Sequence, residues 1–228
     1  MIRAQLLASA RVPGDVAELQ LHRRLLKQAP EYTIRIAGGA DLMSSRRHSS
    51  EDALGELACT RLVAKPGSEV LVGGLGMGFT LAAALRRLRD DAKVTVVELV
   101  GEVVDWNRRW LGECAGHPLD DPRVTVNVGD VGDVIRQSKR AFDAIVLDVD
   151  NGPEALTHSS NAALYELASL RNAGAALREQ GALLVWSSSA DSAFVRRLRH
   201  AGFSVREHRV RAHGGKGSRH VIWAATLQ

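Results

Sequence analysis

Four points along this chain carry residue types that could do chemistry, and each directly follows a short apolar run. The first is Gly73-Gly74-Leu75-Gly76-Met77-Gly78, after Glu69-Val70-Leu71-Val72. A strand that turns straight into a helix needs glycine where the turn is tight and where a ligand lies against bare backbone. The helix start would add N–H groups and the positive end of a dipole. Gly74, Gly76 and Gly78 form G-x-G-x-G, and Phe79 stands where a dinucleotide fingerprint would have its third glycine. The second point is Glu98, which closes Val94-Thr95-Val96-Val97 and lies 20 residues after Gly78. A carboxylate at that strand tip can accept both ribose hydroxyls of an adenosine. The third is Val128-Gly129-Asp130, where an acid can accept the adenine amino group; Asp130 can equally cap a helix that opens at Val131. The fourth is Asp148-Val149-Asp150-Asn151-Gly152-Pro153. Asp148 and Asp150 could hold a cationic substrate, or one could act as a base. An Asx turn would account for the same residues without function.

The elements that must position these residues follow from the apolar pattern. Strands are predicted over 70–73, 94–98, 124–128, 144–148 and 182–186. Helices are predicted between them over 80–89, 102–114, 131–137, 162–178 and 192–201. Short apolar strands separated by amphipathic helices read as βαβ units on a parallel sheet. Ala144-Ile145-Val146-Leu147 has no polar alternation, so its strand should be covered on both faces. The runs 203–211 and 219–226 leave no room for a helix and should pair as an antiparallel hairpin. In open parallel sheets ligands sit beyond the strand C-termini where strand order reverses, which is where Gly73, Glu98, Asp130 and Asp148 fall. Before this region, residues 16–21 and 32–36 read as short strands of a β-rich N-terminal extension, residues 1–48. Ser49-Ser50-Glu51-Asp52 offers an N-cap and an acidic first turn for a helix to about residue 64. Residues 49–228 then form one nucleoside-binding α/β domain.

Three stretches of this chain resemble the spermidine synthase family. They are Val70-Leu71-Val72-Gly73-Gly74-Leu75-Gly76-Met77-Gly78, Val96-Val97-Glu98-Leu99 and Phe142-Asp143-Ala144-Ile145-Val146-Leu147-Asp148. The resemblance runs from about Leu62 to the C-terminus. It implies a class I methyltransferase-like Rossmann sandwich, with a mainly parallel seven-stranded sheet ending in an antiparallel hairpin. It implies that Gly74, Gly76 and Gly78 line the methionine part of an S-adenosyl nucleoside, that Glu98 holds the ribose and Asp130 the adenine, and that Asp148 lies beside the reacting centre. The family carries an Asp-x-x-Asp-Pro run at this last place, where this chain has Asp148 and Asp150 in a differently spaced run. Ser50-Glu51-Asp52-Ala53 stands where the family has Tyr-His-Glu. The expected donor is S-adenosylmethionine or its decarboxylated form, with no metal. The expected function is transfer of an alkyl group to a small, amine-containing acceptor. Methyl transfer is taken first and aminopropyl transfer second, with a non-catalytic nucleoside-binding module as the remaining alternative. A homodimer is also implied.

The totals set bounds. The chain has 228 residues, 45% hydrophobic and 25% charged, with a formal charge of +4. That length suits one α/β domain with a full core. No window approaches 18 uncharged apolar residues, and the apolar run near the N-terminus is too short for a leader, so a cytoplasmic protein is expected. Cys59 and Cys114 have no metal spacing and read as buried free thiols. Arg206, His208, Arg209, Arg211, His213, Lys216, Arg219 and His220 alternate along the terminal hairpin and read as a solvated edge, so no nucleic-acid partner is expected. Trp186, at the end of the fifth strand, reads as a rim or core residue that could also close over a cation. His158 reads as a solvated loop residue.

Overall fold

The computed structural model describes residues 4–26, 29–149, 159–213 and 216–227. Its larger sheet has seven strands: β5 (Glu69–Gly73), β6 (Lys93–Glu98), β7 (Val124–Val128), β8 (Phe142–Leu147), β9 (Leu177–Ser187), β10 (Phe203–His213) and β11 (Lys216–Leu227). Their order is β10-β11-β9-β8-β5-β6-β7. β5 to β9 pair in parallel, and β11 runs antiparallel to both β9 and β10. The expected sandwich with its closing hairpin is therefore present. Strand order reverses between β5 and β8, so the crevice opens at the tips of those two strands.

Every residue of β8 is buried. Its side chains alternate between two apolar layers, as a strand covered on both faces requires. Ile145 and Leu147 join Val131, Ile135, Leu170, Phe194 and Trp223 on one face. Ala144 and Val146 join Leu54, Leu81, Leu85 and Val104 on the other. The first layer is closed by α5 (Val131–Gln137), α7 (Leu167–Ala176) and α8 (Ser192–His200), and the second by α1 (Ser49–Cys59), α2 (Phe79–Leu85) and α3 (Gly101–Trp106). Two short helices complete the set, α4 (Gly112–Ala115) and α6 (Ser159–Leu164).

Residues before α1 form a second sheet of four antiparallel strands: β1 (Gln5–Arg11), β2 (Glu18–Leu25), β3 (Pro30–Ile36) and β4 (Asp41–Ser44). Two of these strands were not expected, because Gln5–Arg11 has no clean alternation and β4 is only four residues long. β2 starts later than expected, with Val16 fully exposed before it. This sheet shares a core with the larger one: Leu21, Tyr32 and Ile34 pack with Met77, Phe79, Val103 and Trp106.

Several boundaries moved. α1 ends at Cys59, and a series of turns replaces its expected last residues; its N-cap position is His48, with no capping side chain. The expected helix 162–178 breaks at Tyr165-Glu166, and its last two residues enter β9. The expected helix 102–114 contains a π-helical turn, Asn107–Leu111. That turn directs the Asn107 amide back to Val103 O at 2.9 Å and across to Gly76 O at 2.8 Å, anchoring the glycine turn from below. π-turns concentrate at such places. Cys59 is buried, Cys114 only partly, and both are free thiols. No helix among the described residues is long and apolar enough to cross a membrane.

One close contact sets the position of α1. A Cβ on Gly55 would lie 2.3 Å from Thr80 O and 2.8 Å from Ala83 Cβ. Glycine therefore lets α1 lie almost directly on α2. We expect Gly55→Ala to cost about 1–3 kcal/mol through overpacking, measured by urea denaturation, with an unchanged slope in urea.

Candidate functional site

Two adjoining cavities open at the β5/β8 switch. The first, of 210 Å³, is lined on the large-sheet side by Gly74, Gly76, Glu98, Val100, Asp130, Val131 and Asp148. Its opposite wall comes from the small sheet and the turn after β1: Val12, Pro13, Leu19, Ile34, Leu42 and Met43. Glu98 is buried to 9% exposure. Its Oε2 accepts the Leu75 N–H at 2.8 Å and its Oε1 the Val100 N–H at 3.0 Å. These two backbone donors fix the carboxylate at the cavity wall. Asp130 caps α5, its Oδ1 accepting the Gly132 N–H at 2.7 Å, while the residue also lines the cavity. Capping and ligand contact are thus compatible, as its place in the sequence allowed.

Within the glycine turn, three N–H groups are taken up by the protein. The Gly74 N–H donates to Val97 O at 2.9 Å, the Leu75 N–H to Glu98, and the Gly78 N–H to Leu75 O at 2.8 Å. These donors serve the protein itself and are not offered to an anion. The glycines answer to close approach. Gly74 (φ 88°) would place a Cβ 2.2 Å from Asp148 O, and Gly76 (φ 51°) would place one 3.0 Å from Met43 Sδ. Gly73 faces Val131 and Leu147, and Gly78 faces Pro118, so neither of these two lines the cavity.

The second cavity, of 260 Å³, shares Leu42, Met43, Gly76 and Asp148 with the first. Its further lining includes Asp41, Arg47, Glu51, Thr80, Trp186, Ser188 and His220. Asp148 is held by its N–H on Gly73 O at 2.8 Å, and its Oδ2 accepts the Thr80 hydroxyl at 2.5 Å. Glu51 Oε2 accepts the Ser50 hydroxyl at 2.5 Å, and Ser50 Oγ lies 3.0 Å from His220 Nδ1. The Trp186 ring stands edge-on to His220, with centroids 4.8 Å apart. Burial pushes the Glu51 carboxyl up to about 7, and the neighbouring Asp148 charge adds to that rise. Burial likewise pushes Asp148 up to about 6, against the Thr80 hydrogen bond. Two half-buried carboxyls with no ion pair to a cation among the described residues can take a proton or hold an ammonium. Among the described residues, no group of three His, Cys, Asp or Glu side chains is arranged to hold a metal ion.

Of the residues singled out from sequence, Gly74, Gly76, Glu98, Asp130, Val131 and Asp148 meet at one cavity. Asp150 and His158 lie outside the described residues. Sequence reasoning missed Thr80, Asn107 and Met43. It assigned Glu51 to a helix first turn and His220 to a solvated edge, and both face the second cavity. The available signal for Glu51 was its place in the segment that stands where the family has Tyr-His-Glu.

The geometry defines a protein of the Rossmann-like sandwich class with a two-chambered cleft at its switch point. More narrowly, residues 20–195 match the spermine/spermidine synthase domain, and the chain belongs to that family. It is 38% identical over 79 residues to the polyamine aminopropyltransferase of Bacillus mycoides, covering 35% of this chain and 28% of that one. It is 26% identical over 125 residues to the polyamine aminopropyltransferase of Saccharolobus solfataricus, covering 55% and 40%. These matches span well under half the length of those relatives. Among solved structures, spermidine synthase from Thermotoga maritima superposes with a TM-score of 0.76 at 18% identity, covering 98% of this chain and 73% of that one. A probable spermidine synthase from Corynebacterium glutamicum gives 0.66 at 14% identity, covering 98% and 80%.

The raised carboxyls have a consequence for stability. An acid whose folded pKa lies above its unfolded value stabilises the fold fully below the unfolded pKa, and that contribution is lost as pH rises through the folded one. For Glu51 the window runs from 4.5 to about 7. We expect Glu51→Gln to gain about 1–2 kcal/mol on wild type between pH 4.5 and pH 8, measured by urea denaturation at both pH values.

Proposed function

We propose that this chain transfers an aminopropyl group from decarboxylated S-adenosylmethionine to a small amine. The observation that carries the reading is the pair of joined cavities with Asp148 on their shared wall. One chamber has a fixed carboxylate at a strand tip between aliphatic walls, which suits a nucleoside. The other has two carboxyls of raised pKa, which suits an amine. The names of the relatives favour aminopropyl over methyl transfer, reversing the order taken from sequence.

The bound donor would supply an electrophilic carbon at its sulfonium. Everything else falls to the protein. Glu98 would accept the ribose hydroxyls, and Asp130 would meet the adenine at the cavity mouth. The turn held by Asn107 keeps Gly74 and Gly76 from filling the space between the chambers. An amine acceptor arrives as an ammonium, and its nitrogen is a nucleophile only after losing a proton. Asp148 would take that proton on its carboxylate, oriented by Thr80, with Asp150 as the second candidate. Glu51 would hold the remaining positive charge. Alignment of nucleophile and carbon in adjoining chambers then supplies the main acceleration.

Methyl transfer is the second reading, and Arg47 favours it. Arg47 lines the acceptor chamber and makes no ion pair among the described residues. It would suit a donor that keeps its carboxylate.

The deciding assay incubates the protein with either donor and a panel of diamines. Aminopropyl transfer leaves methylthioadenosine, whereas methyl transfer leaves S-adenosylhomocysteine. Release of neither product from any pairing would sink both readings and leave a nucleoside-binding module. With an active pairing, we expect Asp148→Asn to bind donor normally while turnover falls at least 100-fold. Calorimetry should show Glu98→Ala losing tenfold or more in donor affinity, since a hydrogen bond to a charged acceptor is worth about 1.5–3 kcal/mol.

A further inference from the structure

We propose that His220 is a positioning residue which, acting through the Ser50 hydroxyl, holds Glu51 as a carboxylate in the acceptor chamber. The inference rests on the proposed transfer reaction for its catalytic meaning, although the network itself stands on geometry.

Ser50 is fully buried at the start of α1, and its hydroxyl has one proton and two acceptor directions. Glu51 Oε2 lies 2.5 Å away on one side and His220 Nδ1 3.0 Å away on the other. With Glu51 ionised, the Ser50 proton must point to it, because a carboxylate can only accept. Ser50 can then only accept from His220, so Nδ1 carries the proton of the neutral ring. The chain of donors runs one way: His220 Nδ1–H to Ser50 Oγ, and Ser50 Oγ–H to Glu51 Oε2. His220 thereby keeps the Ser50 hydroxyl turned toward Glu51. Its own burial lowers its pKa, which favours the neutral ring this arrangement needs.

Other charged groups face the same chamber. Asp41 reaches it from β4, Arg47 from the turn after β4 and Asp148 from the tip of β8. Asp52 follows Glu51 on α1, but His48 and Arg86 hold its carboxylate. Of these groups Asp148 bears most on Glu51, and it raises the pKa. The Ser50 hydrogen bond acts in the opposite direction. Without His220 the Ser50 hydroxyl is no longer turned toward Glu51 by a hydrogen bond it accepts, its donation to Glu51 weakens, and the Glu51 proton is held more tightly. The acid limb of the activity profile should then move to higher pH. The His220→Asn substitution would restore the donor, because an Asn amide nitrogen stands at the same remove from the backbone as His Nδ1.

The test measures Glu51 titration by carboxyl carbon-13 NMR and the pH dependence of turnover in wild type, His220→Ala, His220→Asn and Ser50→Ala. We expect Ser50→Ala to raise the Glu51 midpoint by about one pH unit and His220→Ala to raise it by a smaller part of that, with the acid limb of turnover following. A His220→Ala/Ser50→Ala double variant should move no further than Ser50→Ala, because both act through the same bond. His220→Asn should titrate like wild type. Equal midpoints in all four proteins would overturn the proposal, as would a His220→Asn protein that shifts as far as His220→Ala. A folded protein with the expected NMR shifts and no turnover would keep the network and sink the transfer reaction instead.

Discussion

The cleft depends on one contact, the approach of Asp148's carbonyl to the α-carbon of Gly74. β5 and β8 are neighbours whose chains leave in opposite directions, so their tips must separate to form a crevice. Here they separate only after β8 has passed across the backbone of β5, with the Asp148 N–H on Gly73 O. A side chain at Gly74 would occupy the space of that carbonyl. The same contact delivers the Asp148 carboxyl to Thr80, and α1 reaches Thr80 only because Gly55 has no side chain. Two glycines, one on a strand tip and one on a helix, thus bring together acids from β8 and α1 that are far apart in sequence.

The two aspartates of β8 and its tip, Asp143 buried and Asp148 half-buried, show how differently one strand can treat the same side chain. Asp143, near the start of β8, accepts the Lys65 ammonium at 2.7 Å, the Arg178 guanidinium at 2.9 Å and the Glu69 N–H at 2.8 Å. Burial alone would raise its pKa, but the Lys65 and Glu69 hydrogen bonds and the Arg178 charge outweigh that and hold it low. Asp148, at the far end, has only the Thr80 hydroxyl as side-chain donor among the described residues, and burial wins. A carboxylate surrounded by donors fastens β5, β8 and β9 together. One left under-compensated costs stability and is retained where chemistry can use it.

The larger sheet was legible in sequence because its signals are local. Ala144-Ile145-Val146-Leu147 has no polar break, Asp130 precedes a helix that begins and ends where its pattern says, and the terminal pair of strands leaves no room for a helix. Glu98 was legible for the same reason, as a strand tip at a fixed distance from a glycine turn. What escaped depends on partners remote in sequence. Glu51 and His220 are 169 positions apart, and neither segment alone reveals that α1 and β11 share a cavity wall. On a hairpin, alternation fixes which residues share a face, and it cannot tell which face meets solvent. The small sheet was under-read because its apolar residues complete their cluster with Met77, Phe79, Val103 and Trp106, all remote in sequence. Its part in walling both chambers follows from that packing.

β11 lies inside the sheet, between β9 and β10, although the chain reaches it after both. β9 therefore keeps one edge open until β11, made last, pairs with it, alone or already joined to β10 in a hairpin. Trp223 and Ile222, both fully buried, arrive with β11, and so does His220. One strand thus completes both apolar layers and supplies part of the wall of the second chamber. The wall that His220 gives the second chamber therefore comes from the last strand of the larger sheet, whereas Glu98 in the first chamber comes from its second.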